Sequence, residues 1–286
     1  MSHDELIAPA PAKLNLFLVV TGRRPDGYHT LQTLFQFVGF ADTIHFRLRR
    51  DGSVRRVSQL PGVPEERDLT VRAARLLQSE TGCRFGAEIS ITKRLPMGGG
   101  LGGGSSDAGT TLIALNRLWG LSLPRERLQT LGLSLGADVP VFVFGRNALA
   151  EGIGERLYAV QVPRAWYLVL IPSVSVSTAE VFADAQLTGT TSPFTIRAFS
   201  EGCVTSELLG RNDLEAVVCR RYPDVARHLE WLRRFGPAAM TGSGGCVFCP
   251  FASPEEAESV RATLPGDMRG VVAEGLLQHP LCGWVD

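Results

Sequence analysis

The stretch that decides the fold reads Pro96-Met-Gly-Gly-Gly-Leu-Gly-Gly-Gly-Ser-Ser-Asp107, with six glycines in the seven positions 98–104. A strand pattern over 87–91 precedes this segment, and an apolar helix pattern over 105–118 follows it. Glycine allows backbone conformations that turn successive N–H groups toward one point. A helix N-terminus adds unpaired N–H donors and a partial positive charge. The segment therefore predicts a loop that binds a di- or triphosphate.

Other glycine-rich loops fit less well. Gly98, Gly100 and Gly103 satisfy the G-x-G-x-x-G pattern of dinucleotide-binding proteins. That pattern should lead through its helix to a second strand that ends in an acidic residue, whereas here a second helix pattern follows at 125–133. The sequence contains no Gly-Lys-Ser/Thr of a Walker A loop and neither the H-R-D nor the D-F-G of protein kinases. A flexible linker is also disfavoured, because apolar elements flank the loop on both sides.

The flanking sequence predicts an α+β chain of two domains, 1–157 and 158–286. In the first domain we expect a helix over 105–118 capped by Ser105 or Ser106, with Asp107 in its first turn. The strands expected there cover 14–20, 34–40, 43–48, 53–57 and 87–91, and the other helices cover 69–77 and 125–133. In the second domain we expect strands over 166–171, 238–241, 245–251 and 270–273, with helices over 178–185, 224–235 and 254–263.

The bulk composition and the cysteine usage predict a cytoplasmic protein without a nucleic-acid or membrane partner. Of 286 residues, 29 are basic and 29 acidic, so the chain lacks the basic excess expected of a nucleic-acid or membrane-surface binder. No apolar run is long enough to span a bilayer, and the N-terminus is polar and acidic. We expect the six cysteines to be reduced, and the chain to be a monomer or weak homodimer.

The glycine loop resembles the signature loop of the GHMP kinase family. Two further segments agree, Ala10-Pro-Ala-Lys-Leu-Asn15 and Met240-Thr-Gly-Ser-Gly-Gly-Cys246. The resemblance implies a two-domain fold, with an N-terminal domain similar to ribosomal protein S5 domain 2 and a ferredoxin-like C-terminal domain. It also implies ATP as co-substrate between them, accompanied by Mg²⁺, for which the sequence assigns no protein ligand.

Two more segments narrow the resemblance to one branch of that family. Arg24-Pro-Asp-Gly-Tyr-His-Thr-Leu-Gln-Thr33 and Leu135-Gly-Ala-Asp-Val-Pro-Val-Phe142 are similar to the kinases of the non-mevalonate isoprenoid pathway. The expected reaction transfers a phosphoryl group from ATP to the 2-hydroxyl of 4-diphosphocytidyl-2-C-methyl-D-erythritol. A GHMP kinase with a different alcohol substrate and a nucleotide-binding protein without catalysis are the alternatives at this point.

The resemblance assigns roles to individual residues. It makes Asp138 the base that takes the hydroxyl proton, with Lys13 keeping that carboxylate ionised and oriented. Read without the resemblance, Lys13 would be an outward-facing strand lysine and Asp138 a turn residue that caps a backbone N–H. The expected ATP-binding residues are Pro96, Met97, Gly98, Gly99, Gly100, Leu101, Gly102, Gly103, Gly104, Ser105 and Ser106.

The same resemblance places the cytidyl substrate against a second group of residues. Tyr28 is expected to stack on the cytosine and His29 to hydrogen-bond it, with Phe182 on the other face. Asn15 and Thr178 complete the expected substrate contacts, Thr178 near the diphosphate. Asp68 departs from the pattern, because close relatives often carry asparagine there, near the adenine. An ionised aspartate accepts hydrogen bonds but cannot donate them.

Overall fold

A six-stranded sheet forms the first half of the protein. The computed structural model describes residues 4–25, 27–184 and 209–286. β1 (Glu5–Arg23) and β2 (His29–Arg49) pair antiparallel over almost their whole length. The rest of the sheet follows the order β3-β4-β2-β5-β6, in which only β3 and β4 run parallel. These strands are β3 (Val54–Arg56), β4 (Gly86–Thr92), β5 (Ala148–Gly152) and β6 (Arg156–Ala159).

Helices cover one part of this sheet and enclose the first core. Asp68 starts α1 by accepting a hydrogen bond from the Thr70 N–H, and Gly82 ends it in the left-handed conformation. The buried middle of α2 packs against both α1 and β1, with Leu112 and Leu115 fully buried. The helices are α1 (Leu69–Thr81), α2 (Gly103–Leu118), α3 (Arg125–Leu135) and α4 (Val139–Phe144), and a short 3-10 helix spans Glu65–Arg67.

A second sheet, antiparallel throughout, has the order β10-β7-β9-β8. Its strands are β7 (Trp166–Leu170), β8 (Ala239–Met240), β9 (Val247–Phe251) and β10 (Gly270–Glu274). Around it lie α5 (Thr178–Phe182), α6 (Glu215–Arg221), α7 (Pro223–Leu232) and α8 (Pro254–Arg261), and a 3-10 helix spans Cys282–Trp284.

β7 alternates between two cores because successive strand residues point to opposite faces. Tyr167 and Val169 join a cluster that also contains Leu14 of β1, so this core is shared by the two sheets. Leu168 and Leu170 join a separate cluster with α6 and α7. The shared core fixes β1 against the second sheet.

The α+β prediction is confirmed, with local corrections. The two strands expected over 34–40 and 43–48 are one continuous strand, β2. The cap of α2 is Gly102 in the left-handed conformation, not Ser105 or Ser106, so Asp107 lies beyond the first turn. The sequence patterns also missed α4, β5, β6 and α6. The helix expected over 178–185 ends at Phe182, and residue 185 lies outside the described ranges.

The end of the chain returns to the first half of the protein. Leu276 N–H donates to the Phe37 carbonyl at 2.8 Å, and Leu281 and Val285 belong to the first core. β6 continues the first sheet to Ala159, and β7 opens the second at Trp166. The division at 157/158 stays a prediction, and the last residues of the expected second domain pack on the first sheet and its helices.

The cysteines of the described ranges are free thiols, and Cys203 lies outside those ranges. Cys246 and Cys249 contact different cores, as their spacing along an extended segment predicts. Burial raises the pKa of each of these two thiols to about 12. None of the helices in the described part of the chain has both the length and the apolar character needed to span a membrane.

Candidate functional site

A cleft of about 1060 Å³ lies between the two halves of the protein. Its walls come from β1, the glycine loop, the start of α4, α5 and the turn before β9. The volume is at the upper end of small-molecule sites, which are roughly 300–1,000 Å³. The cleft therefore has room for two ligands side by side.

The first glycines of the loop pack against the second sheet. A Cβ added to Gly98 would lie 2.1 Å from Ser175 Oγ, and one added to Gly100 would lie 2.2 Å from the Thr241 carbonyl oxygen. Both glycines have left-handed backbone angles, φ +67 and +75. The Gly99 carbonyl accepts a 3.0 Å hydrogen bond from the Cys246 N–H. This part of the loop needs glycine for close approach to the protein itself.

The last glycines form the first turn of α2 beside the cleft. Gly103, Gly104 and Ser105 follow the Gly102 cap, and the N–H groups of a first turn have no partner inside their helix. All three residues line the cleft. Here the structure provides the ring of donors and the positive helix end that bind phosphate groups.

Two residues of the predicted ATP loop lie away from the cleft wall. Leu101 is 1% exposed, and its carbonyl accepts from the Lys13 N–H. Ser106 is fully buried, and its hydroxyl donates to the Pro11 carbonyl at 2.7 Å. Both tie the loop to β1. The remaining predicted loop residues line the cleft: Pro96, Met97, Gly98, Gly99, Gly100, Gly102, Gly103, Gly104 and Ser105.

Lys13 and Asp138 meet in the cleft, although 124 residues separate them in the sequence. Lys13 Nζ lies 3.4 Å from Asp138 Oδ2. The lysine side chain is 3% exposed and the aspartate side chain 37%. Asp138 precedes α4 and makes no capping hydrogen bond with its side chain. The lysine is thus buried and paired, and the carboxylate stays open to a ligand.

Asn15 contacts Lys13, and its expected substrate contact stays a prediction. Its Oδ1 accepts a hydrogen bond from Lys13 Nζ, and its Nδ2 donates to Thr33 Oγ1 at 2.8 Å. Its backbone N–H donates to Thr241 Oγ1 at 2.9 Å. Asn15 is 3% exposed and still lines the cleft. These contacts hold the Lys13 ammonium in place.

The second lysine forms a buried charge network that the sequence analysis missed. Lys93 Nζ donates to Asp42 Oδ2 and, at 2.7 Å, to Asp107 Oδ2. Burial of Asp107 raises its pKa to about 7, against the lowering effect of Lys93. Burial alone would lower the pKa of Lys93, but the carboxylates of Asp107 and Asp42 raise it. The network anchors the entry of the glycine loop, because Asp42 Oδ1 also accepts from the Leu95 N–H. Lys13 and Lys93 are the two lysines among 29 basic residues, and this rarity was the available signal.

Asp68 uses both carboxylate oxygens within the protein. Oδ1 accepts from the N–H and hydroxyl of Thr70, each at 2.7 Å, and Oδ2 pairs with Arg56 Nη1 at 2.6 Å. The side chains of Asp68 and Arg56 are 5% and 8% exposed. Asp68 nevertheless lines the cleft.

The residues expected to hold the cytosine gather at one end of the cleft. His29 and Phe182 have ring centroids 5.7 Å apart, and Tyr28 is exposed beside them. Burial, with the nearby Arg23 charge, lowers the pKa of His29. Thr178 Oγ1 lies 2.6 Å from Ser243 Oγ of the turn before β9.

Comparisons with known proteins identify the family. The GHMP kinase N-terminal domain model matches residues 68–146, and the GHMP kinase C-terminal model matches residues 199–269. A 4-diphosphocytidyl-2-C-methyl-D-erythritol kinase of Aromatoleum aromaticum is 57% identical, over 97% of this chain and 95% of the relative. The chain belongs to the GHMP kinase family, in its 4-diphosphocytidyl-2-C-methyl-D-erythritol kinase branch. A relative from Nitrosospira multiformis with the same name is 59% identical, over 98% and 94% of the two chains.

Solved structures agree with this assignment. A crystal structure of a 4-(cytidine 5'-diphospho)-2C-methyl-D-erythritol kinase matches with a TM-score of 0.77 and 34% identity, over 95% of this chain and all of that chain. A homoserine kinase from Cytophaga hutchinsonii matches with a TM-score of 0.71 at 17% identity, over 98% and 96% of the two chains. The second match shows the shared fold alone.

Proposed function

We propose that the protein transfers the terminal phosphoryl group of ATP to the 2-hydroxyl of 4-diphosphocytidyl-2-C-methyl-D-erythritol. The products are ADP and the 2-phosphate of that alcohol, a precursor in non-mevalonate isoprenoid synthesis. The observation that carries the proposal is the composition of one cleft. It joins a phosphate-binding helix end, the Lys13–Asp138 pair and an aromatic pocket around His29.

ATP binds with its phosphates at the first turn of α2. Gly103, Gly104 and Ser105 supply backbone N–H donors there, and the helix end supplies a partial positive charge. Asp68 does not donate a hydrogen bond to the adenine, because its carboxylate oxygens already accept hydrogen bonds from Thr70 and Arg56. The base therefore lies against the side chains of Leu60, Val63 and Leu69, which line the same part of the cleft.

Asp138 accepts the proton of the attacking hydroxyl. Its carboxylate is open to the cleft, and the Lys13 ammonium lies 3.4 Å from its Oδ2 atom. Phosphoryl transfer depends mainly on positioning and charge neutralisation, so the same ammonium also stabilises charge on the moving phosphoryl group. Asn15 acts on this step through Lys13, since its Oδ1 fixes the ammonium.

Magnesium fits the cleft as a partner of ATP. Mg²⁺ binds mainly phosphate oxygens and water and takes one or two protein oxygens. Ser105 brings such an oxygen to the cleft. It would hold the ion together with the ATP phosphates, and the ion would neutralise phosphate charge during transfer. Among the described residues no cluster of three or more histidine, cysteine or acidic side chains forms a dedicated metal cage.

The cytidyl group binds at the opposite end. Tyr28 supplies a stacking surface, and His29, whose lowered pKa keeps its ring neutral at pH 7, can both donate to and accept from the cytosine. Phe182 lies beside His29 from the other half of the protein. Thr178 and Ser243 present hydroxyls near the diphosphate. The protein acts on this small molecule in the cytoplasm, as a monomer or weak homodimer.

An ADP-release assay with a panel of alcohols tests the proposed function. The panel contains the cytidyl substrate, mevalonate, homoserine and galactose, and Asp138→Asn is the control for contaminating ATPase. We expect kcat/KM for the cytidyl substrate to exceed the others by about a hundredfold or more, because a site that hydrogen-bonds a substrate group rejects analogues that lack it. A higher kcat/KM for another alcohol would exclude the proposed substrate.

A further inference from the structure

Asn212 connects β1 to the turn that covers Lys13. It lies in a short extended segment docked on β1, where the Leu18 N–H donates to the Arg211 carbonyl at 2.8 Å. From there both amide hydrogens of its side chain reach the turn. Asn212 Nδ2 donates to the Met240 carbonyl at 2.8 Å and to the Gly242 carbonyl at 2.9 Å.

The side-chain oxygen of Asn212 has a separate task. Oδ1 accepts from the Leu214 N–H at 3.0 Å, just before α6. Asn212 is 9% exposed, so these three hydrogen bonds are largely shielded from water. Donor and acceptor sides of one amide thus serve different parts of the protein. A substitution can therefore remove one function and keep the other.

The hydrogen bond to Gly242 fixes the peptide that follows. In a planar trans peptide the N–H points opposite to the C=O. The Gly242 carbonyl faces Asn212 in the interior, so the Ser243 N–H faces the other way. Gly242 and Ser243 both line the cleft. Asn212 therefore orients a backbone donor away from the interior, on the cleft side of the turn.

This turn lies directly over Lys13 and Asn15. A Cβ added to Gly242 would be 3.2 Å from Lys13 Nζ and 3.3 Å from Asn15 Oδ1. Gly242 also has a left-handed backbone angle, φ +58. A small rotation of the Gly242–Ser243 peptide would therefore change its spacing from Lys13. It would also change the direction in which the Ser243 N–H points.

We propose that Asn212 is a positioning residue for phosphoryl transfer, which fixes the Gly242–Ser243 peptide so that the Ser243 N–H donates to the transferring group beside Lys13. The inference rests on the proposed kinase reaction. The donor would act as an oxyanion-type contact, worth most when it is preorganised and aimed at developing charge.

Asn212→Asp separates the two tasks of the side chain. The introduced carboxylate can still accept from the Leu214 N–H, but when ionised it has no hydrogen to donate to Met240 or Gly242. Loss of one preorganised donor costs about 10²–10³ in kcat, and a misaligned donor should cost roughly ten- to hundredfold. We expect both KM values to stay within a few fold.

A pH profile distinguishes donation from general loosening. Burial raises the pKa of the introduced carboxyl, and below that pKa its O–H can donate again. The kcat of Asn212→Asp relative to wild type should therefore rise as the pH falls from 8 to 5.5. Asn212→Ala removes the same donors without burying a charge, and should show the loss of kcat without recovery at low pH.

Asp213→Asn is the matched control. Asp213 Oδ2 accepts from the Val20 N–H at 2.9 Å, so this change alters the anchor on β1 and leaves the turn intact. Its kcat should stay near the wild-type value. The inference is overturned if Asn212→Asp and Asn212→Ala, folded by circular dichroism, keep wild-type kcat at all pH values, or if both lose kcat with no difference in pH profile. Wild type without ADP release on the cytidyl substrate would instead overturn the proposed function.

Discussion

At the scale of single residues, the hydrogen bonds that Asp68 makes within the protein limit its possible role in binding the adenine. The resemblance places this position near the adenine, where a donor would be useful. The structure commits Oδ1 to the start of α1 and Oδ2 to Arg56. In the proposed ATP complex, Asp68 therefore does not select the base through a hydrogen bond.

The Arg56–Asp68 pair should matter for stability more than for ATP binding. Asp68→Asn keeps a good helix cap but leaves the Arg56 charge buried without its partner. Removing one member of a buried pair typically costs about 3–5 kcal/mol. We expect urea unfolding to show a loss of this order, while the KM for ATP stays unchanged.

A second substitution provides the control for this prediction. Arg56→Met combined with Asp68→Asn removes the unpaired charge and fills similar space, so most of the lost stability should return. A large rise in the KM for ATP at unchanged stability would show instead that Asp68 recognises the base.

At the scale of elements, the glycines of the loop divide into two groups. Gly98 and Gly100 allow close packing against Ser175 and the Thr241 backbone. Among the described residues, a Cβ added to Gly104, in the first turn of α2, would approach only Leu69 Cδ1, at 3.4 Å. The first group serves the fold, and the second lines the part of the cleft where we propose that the ATP phosphates bind.

This division predicts opposite effects for two substitutions. Gly100→Ala places a Cβ 2.2 Å from a carbonyl oxygen at a left-handed position, which alone costs about 1–2 kcal/mol. It should lower the melting temperature by several degrees. Gly104→Val should keep that temperature and raise the KM for ATP at least tenfold, equivalent to about 1.4 kcal/mol. Equal melting temperatures and equal KM values for the two variants would contradict the division.

The hairpin between β1 and β2 and the helix α5 meet in the part of the cleft where we propose that the cytidyl group binds. Stacking of a base on an aromatic side chain is worth about 1–3 kcal/mol in single-strand binding proteins. Tyr28→Ala should therefore raise the KM for the cytidyl substrate roughly ten- to hundredfold and spare the KM for ATP.

Tyr158→Ala is the matched control for Tyr28→Ala, because Tyr158 is a partly exposed tyrosine on β6 away from the cleft. An equal effect of Tyr28→Ala on the KM values for both substrates would assign Tyr28 a structural role.

Sequence patterns predicted the elements that have a clear local signal, such as helical periodicity. They missed the features that depend on contacts between residues far apart in the sequence. The loop and α2 were predictable, because glycine and helical periodicity act locally. α4 was missed, since Val139-Pro-Val-Phe-Val-Phe144 is apolar throughout and its six residues are too short to show a helical period. The ties of Asp42 to Lys93 and of Asn212 to Gly242 bring together residues 51 and 30 positions apart, so no local pattern reveals them.

At the scale of the whole molecule, the two halves are held as one unit around the cleft. The core that contains Leu14 and Val169 joins the sheets, and the returning tail adds a second connection. Arg125 fixes that tail, because its guanidinium donates to the Val143 carbonyl at 2.7 Å and to the Cys282 carbonyl at 2.6 Å. Together, the shared core and the anchored tail keep β1 at a fixed distance from the turn at 242–243.

The most direct test of the account is the steady-state kinetics of Lys13→Met, Asp138→Asn and the double variant with ATP and the cytidyl substrate. General-base effects are typically about 10²–10⁴-fold, so each single variant should lose kcat on that scale and keep both KM values within a few fold. Because the two side chains act together at 3.4 Å, the kcat of the double variant should be only slightly lower than that of the less active single variant. Near-wild-type kcat in both single variants, or strictly multiplicative losses in the double variant, would contradict the account.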